Sequence, residues 1–152
     1  SFYTYFPSKE AVFLEVADRL FADMTGHALE PAPGSSPAER LRHANRAYYE
    51  AYRRNAKMMA IIEQVATFNV EFQEMRRKHR ADSAARSAQA IARWQRDGLV
   101  PPDLAPAMTA HALATMVDRS LYLCLVQGDE ADAGRLLDTL DALTVRALGL
   151  PT

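Results

Sequence analysis

Apolar residues recur every three or four positions along almost the whole chain, and no segment alternates apolar with polar residues as a half-buried strand would. A chain so patterned must bury its stripes helix against helix. The first full helix is expected from about Lys9 to Leu29, with Phe13, Val16, Leu20, Met24 and Ala28 on one face. Glu30 to Ser36 is a loop by its proline, glycine and serine content. Ser36-Pro37-Ala38-Glu39 then opens a second helix with a capping box and proline at its first position, and Leu41, Ala44, Tyr48 and Tyr52 form the inner stripe. A short apolar helix follows from about Ala56 to Thr67. A long one runs from about Val70 to Asp97 and stops at Gly98 and Pro101-Pro102. Asp103 is placed to cap a penultimate helix reaching Gln127, and a last helix spans about Glu130 to Leu148. The fold class is therefore all-α, a bundle of about six helices.

At 152 residues and 49% hydrophobic content, the chain suffices for one domain with a real core. Its net charge of −1 gives no global attraction for polyanions, so any nucleic-acid affinity must come from a local patch. Cys124 is the single cysteine, and its neighbours Leu123, Leu125 and Val126 mark it as a buried thiol rather than a nucleophile. No signal peptide and no bilayer-length apolar run is present, in keeping with a soluble cytoplasmic chain without a membrane partner. The opening on Ser1, partway through a helical pattern, points to a fragment or a trimmed N-terminus.

The N-terminal decad, Ser1-Phe2-Tyr3-Thr4-Tyr5-Phe6-Pro7-Ser8-Lys9-Glu10, combines a stop, a cap and a phosphate-ready surface. Pro7 ends the helix before it, and Ser8 is free to cap the helix after it. The new N-terminus attracts anions, with Lys9 beside it and the Tyr3 and Tyr5 hydroxyls nearby. This junction resembles the one that leaves the recognition helix in the TetR family of transcriptional regulators. The resemblance is specific over residues 1 to about 20 and beyond them is one of helix count and pattern. It implies a TetR-like bundle dimerising through its last two helices, with residues 1–8 the end of a truncated helix-turn-helix domain and 9–152 an effector-binding and dimerisation domain. It also implies that Tyr3, Tyr5 and Lys9 touch phosphate while Ser1 and Thr4 lie near base edges. Double-stranded operator DNA would be bound by the full-length protein only, and released, as expected of a repressor, when a small-molecule effector moves the two DNA-reading heads apart.

Periodicity carries the assembly reading independently. From Ala105 to Val126 the chain is apolar nearly all round, broken mainly by Asp118-Arg119, and a helix without a polar face cannot border water. Pairing it with the leucine stripe of the last helix across a two-fold axis gives a four-helix seam between two copies. The expected seam is Val117, Leu121, Cys124, Leu136, Leu140, Leu143 and Ala147. A monomer that buries this helix centrally is the alternative.

A pocket is expected where bulky residues of the long helix flank a middle of Ser83, Ala84, Ser87 and Ala88. The same small residues would equally permit close helix approach. The facing helices supply adaptable and amphipathic groups, and the candidate lining is Tyr48, Tyr52, Met59, Ile62, Phe72, Met75, His79, Ser83, Met108 and His111. His79 and His111 each interrupt an apolar stripe, as a ligand-orienting group or a satisfied core histidine would. Arg76-Arg77-Lys78-His79-Arg80 reads mainly as a solvated face with a weak phosphate role. The four histidines lack metal-ligand spacing, and neither a phosphate loop nor a nucleophile elbow occurs, so neither an enzyme nor a cofactor is expected. A stand-alone helical ligand-binding or interaction module without DNA binding is the competing class.

Overall fold

The computed structural model describes residues 8–26, 32–128 and 132–151, and every regular element among them is an α-helix. In chain order these are α1 Lys9–Gly26, α2 Pro37–Arg54, α3 Ala56–Ala66, α4 Val70–Arg96, α5 Pro106–Leu125 and α6 Ala133–Leu148. The all-α, TetR-like bundle expected from the sequence is what the chain forms.

Short polar side chains set most of the helix starts. Ser8 Oγ accepts from the Ala11 amide at 3.1 Å, and Ser36 Oγ accepts from Glu39 at 3.2 Å with Pro37 in the first turn. Asn69 Oδ1 accepts from Phe72 at 3.0 Å, and Asp132 Oδ1 from Gly134 at 2.9 Å. Each satisfies one of the amides a helix start leaves without a partner. The start of α5 departs from expectation. Asp103 does not cap it; the helix begins at Pro106 after an extended Ala105, with no side chain on its first amides. Proline there has no N–H to satisfy, so the need for a cap is already reduced. The same helix ends at Leu125, two residues earlier than expected, with Val126 as its cap. At the end of α6, Gly149 adopts φ +66° and a Cβ there would stand 3.4 Å from Pro101 Cδ, so both geometry and space favour glycine.

Two apolar clusters stack along the bundle. The first unites Ala17, Phe21 and Met24 of α1, Tyr52 of α2, Met59 and Ile62 of α3, Phe72 of α4, Val117 and Leu121 of α5 and Leu140 of α6. The second joins Ala38, Ile91, Val100, Ala110, Val145, Leu148 and Leu150. The first half of α4 shares a cluster with the second half of α5, and the reverse holds in the other cluster, so these two helices run antiparallel. By contrast α1 and α4 run parallel. Phe13 stacks on Phe72 at 5.2 Å, Asp18 meets His79 Nε2 at 2.7 Å, and Arg86 donates to the Thr25 carbonyl at 3.1 Å. The partners advance together along both helices.

The inner face of α6 holds two polar residues. Thr144 returns its hydroxyl to the Leu140 carbonyl at 2.8 Å. Asp141, only 7% exposed, accepts from Asn45 Nδ2 of α2 at 2.9 Å. Burial pushes the Asp141 carboxyl above its ordinary value, against the lowering effects of that hydrogen bond, Arg46 and Arg42. An acid whose folded value is raised favours its protonated form in the fold, so its contribution is fully present below about pH 4 and is lost as pH rises through the folded value. Asp141→Asn should therefore raise the melting temperature at pH 7 by a few degrees, and the gain should shrink as pH falls towards 4. A melting series across that window checks it, and a gain equal at both ends would contradict the sign.

Candidate effector core and DNA-facing end

The expected DNA-contacting residues Ser1, Tyr3, Thr4 and Tyr5 lie outside the described residues. Lys9, the remaining one, is exposed at the first position of α1, one residue beyond the Ser8 cap. This end of α1 packs near the turn between α3 and α4. Lys9, Phe13, Val65, Phe68 and Phe72 surround a pocket of about 260 Å³ there. Alongside it an open cleft of about 1090 Å³ runs between α1 and the start of α4, past Ser8, Leu14, Asp18, Phe68, Val70 and Lys78. Its walls carry Glu10, Glu15, Asp18, Glu71 and Glu74 against Arg77 and Lys78. That balance repels phosphate, so the cleft itself is not a DNA-binding surface.

The charge run from Arg76 to Arg80 divides among several faces. Arg76 turns inward to pair with Glu63 of α3, both side chains largely buried. Arg77 pairs with Glu74 on the surface. His79 turns inward to α1, against Asp18 and beside the Phe21 ring at 5.7 Å.

Of the expected pocket lining, Tyr52, Met59, Ile62 and Phe72 are buried in the first cluster, with Tyr48 and Met75 packed against it. Ser83 is half-buried farther along α4, whose most extensive packing is against α5. Met108 and His111 are not brought to this group. They lie in the first half of α5, the half belonging to the second cluster; Met108 is 73% exposed and His111 is exposed as well.

The first cluster has a polar island that the sequence only partly revealed. Tyr48 donates to Asp118 Oδ1 at 2.7 Å, and its ring meets that of Tyr52 edge-on at 5.8 Å. Burial and the Asp118 carboxylate push the Tyr48 phenol well above its ordinary range. The Arg119 guanidinium lies over the Tyr122 ring at 4.7 Å, a cation–π arrangement. Glu63 and Arg76 were not anticipated. Glu63 is the one acid in an eleven-residue apolar helix, which was the available signal, and Arg76 was masked by its charged neighbours.

The seven expected seam residues divide as well. Val117, Leu121 and Leu140 are buried within the single chain. Cys124 and Leu136 are half-buried, and Leu143 and Ala147 face outward, Leu143 at 46% exposure. Among the described residues no group of three or more histidine, cysteine or acidic side chains could hold a metal ion. No helix among them is long and apolar enough to cross a membrane.

No protein-family model matches the chain. Curated relatives do. The chain is 28% identical over 152 residues to the HTH-type transcriptional regulator EthR of Mycobacterium tuberculosis, an alignment covering 97% of this chain and 70% of the relative. The Mycobacterium bovis protein of the same name matches to the same extent. An all-helical bundle led by a capped, cation-bearing helix start, and similar over nearly its whole length to helix-turn-helix regulators, is a transcriptional regulator in class. In this the chain resembles the TetR family of regulators.

Proposed function

We propose that residues 9–152 form the effector-binding and dimerisation domain of a repressor, and that residues 1–8 complete its DNA-reading motif. The protein holds double-stranded operator DNA as a homodimer and releases it when a small apolar or amphipathic molecule enters the first cluster. The observation that carries this reading is the position of α1. On this reading its capped start at Ser8 and Lys9 faces the DNA, while Ala17, Phe21 and Met24 sit in the same core as Tyr52 and Ile62. A ligand that parts this core must shift α1, and α4 moves with it through Asp18–His79 and Thr25–Arg86. Effector and DNA are thereby linked through one two-position element, and each weakens binding of the other by the same factor.

The seam runs along the outward faces of α5 and α6, where Met108, Thr115, Leu143 and Ala147 are exposed. In the whole gene product, Lys9→Ala should weaken binding to operator and random duplex about equally and lower the salt slope of binding by roughly one unit. Anisotropy titrations across salt concentrations measure this. A loss confined to the operator would assign Lys9 to base reading instead.

A helical ligand-binding module without a DNA partner uses the same core, and the net charge of −1 agrees with it. Absence of operator binding by the whole gene product, with ligand binding retained, would favour that reading.

A further inference from the structure

Tyr52 is fully buried where α2, α3, α4 and α5 meet, and its hydroxyl has no hydrogen-bond partner among the described residues. The Arg76 Nε–H is likewise buried and unmatched, although Nη2 of the same side chain pairs with Glu63. Folded proteins rarely leave such donors unmatched, because the lost water contacts are not recovered. Both donors belong to one polar island. The charges of Asp118, Glu63 and Arg76 all act on the Tyr52 phenol, which burial raises above its ordinary range. Around the island the surface is apolar, supplied by Met59, Ile62, Phe72 and Leu121.

The charges decide what can satisfy these donors. Glu63 and Arg76 offset one another, which leaves the Asp118 carboxylate, already accepting from Tyr48. An anionic group brought here would face the Asp118 carboxylate across a medium that screens poorly, while the Arg119 cation is exposed to solvent beside Tyr122. A hydrocarbon would leave both donors unmatched. An uncharged carbonyl oxygen has two lone pairs and suits both. From the two orphan donors and the residual Asp118 charge, we infer that the effector is an apolar molecule carrying a neutral carbonyl-type acceptor, which Tyr52 and Arg76 recognise by hydrogen bonds. This rests on the effector-core reading above and names the chemistry of its ligand.

Three probes of one shape test it by calorimetry on the wild-type protein: valerophenone, its hydrocarbon counterpart pentylbenzene, and the anionic 5-phenylpentanoate. The ketone should bind more tightly than the hydrocarbon by about tenfold for each of the two hydrogen bonds it makes, and the anion most weakly. Tyr52→Phe should reduce the ketone's advantage about tenfold, leaving the part that Arg76 supplies, while pentylbenzene binds as before. The variant should melt no lower than the wild type, since the ring remains and an unmatched hydroxyl is gone. Equal affinity for ketone and hydrocarbon, or preference for the anion, would overturn the carbonyl assignment and leave the effector core standing. A crystal structure with water on both donors and the ketone elsewhere would do the same. Binding of none of the three would instead count against the effector core, and the assignment would fall with it.

Discussion

Truncating Leu121 to alanine should destabilise the chain by about 2–5 kcal/mol, the usual result of opening a cavity at a fully buried leucine, and leave its oligomeric state unchanged. Leu121 is wholly buried in the cluster that holds Tyr52, Val117 and Leu140. For a domain of this size the loss corresponds to a fall in melting temperature of roughly 5–20 °C. Denaturant unfolding together with light scattering reads both quantities. A variant that melts normally but dissociates would return Leu121 to the seam where the sequence pattern places it.

Leu143→Glu should have the opposite signature. Leu143 is exposed on the outward face of α6, so a charge there costs the isolated fold little. Across a two-fold seam the substitution counts twice, and buried like charges cost several kcal/mol. The dimer dissociation constant should therefore rise by roughly a hundredfold or more, giving folded monomers. Sedimentation at micromolar concentration, with circular dichroism as the control for folding, separates the outcomes. An unchanged dimer would place the seam elsewhere, and a wild-type monomer would remove it. Leu140→Glu could not serve this purpose, since Leu140 is buried within the chain and its substitution would disrupt the core.

The contrast between Leu140 and Leu143 shows where the sequence stops being informative. Periodicity identifies α6 as amphipathic but cannot tell whether a stripe meets its own chain or a second copy. The inner face turned out to include Asp141 and Thr144, which a search for apolar stripes passes over because their partners, Asn45 and the Leu140 carbonyl, are revealed only by packing. Helix starts at Ser8, Ser36 and Asn69 were legible because capping is local chemistry. The cap expected of Asp103 failed because the helix begins only at Pro106, which leaves Ala105 rather than Asp103 at the capping position. In the candidate site, Tyr48, Tyr52, Ile62 and Phe72 could be gathered from their stripes. Glu63 and Arg76 could not, since a buried ion pair between α3 and α4 depends on which faces meet. Met108 and His111 lie on a helix that is apolar over most of its length, yet the half of α5 that carries them exposes both.

The most direct test is a titration of the whole gene product against duplexes tiled across the DNA upstream of its own gene, at a salt concentration that suppresses binding to random duplex. The expected result is one tight segment taking up two protomers, because base contacts separate specific from salt-dependent binding. Uniform weak binding to every duplex, vanishing together as salt rises, would contradict the assignment of this chain to a DNA-reading regulator.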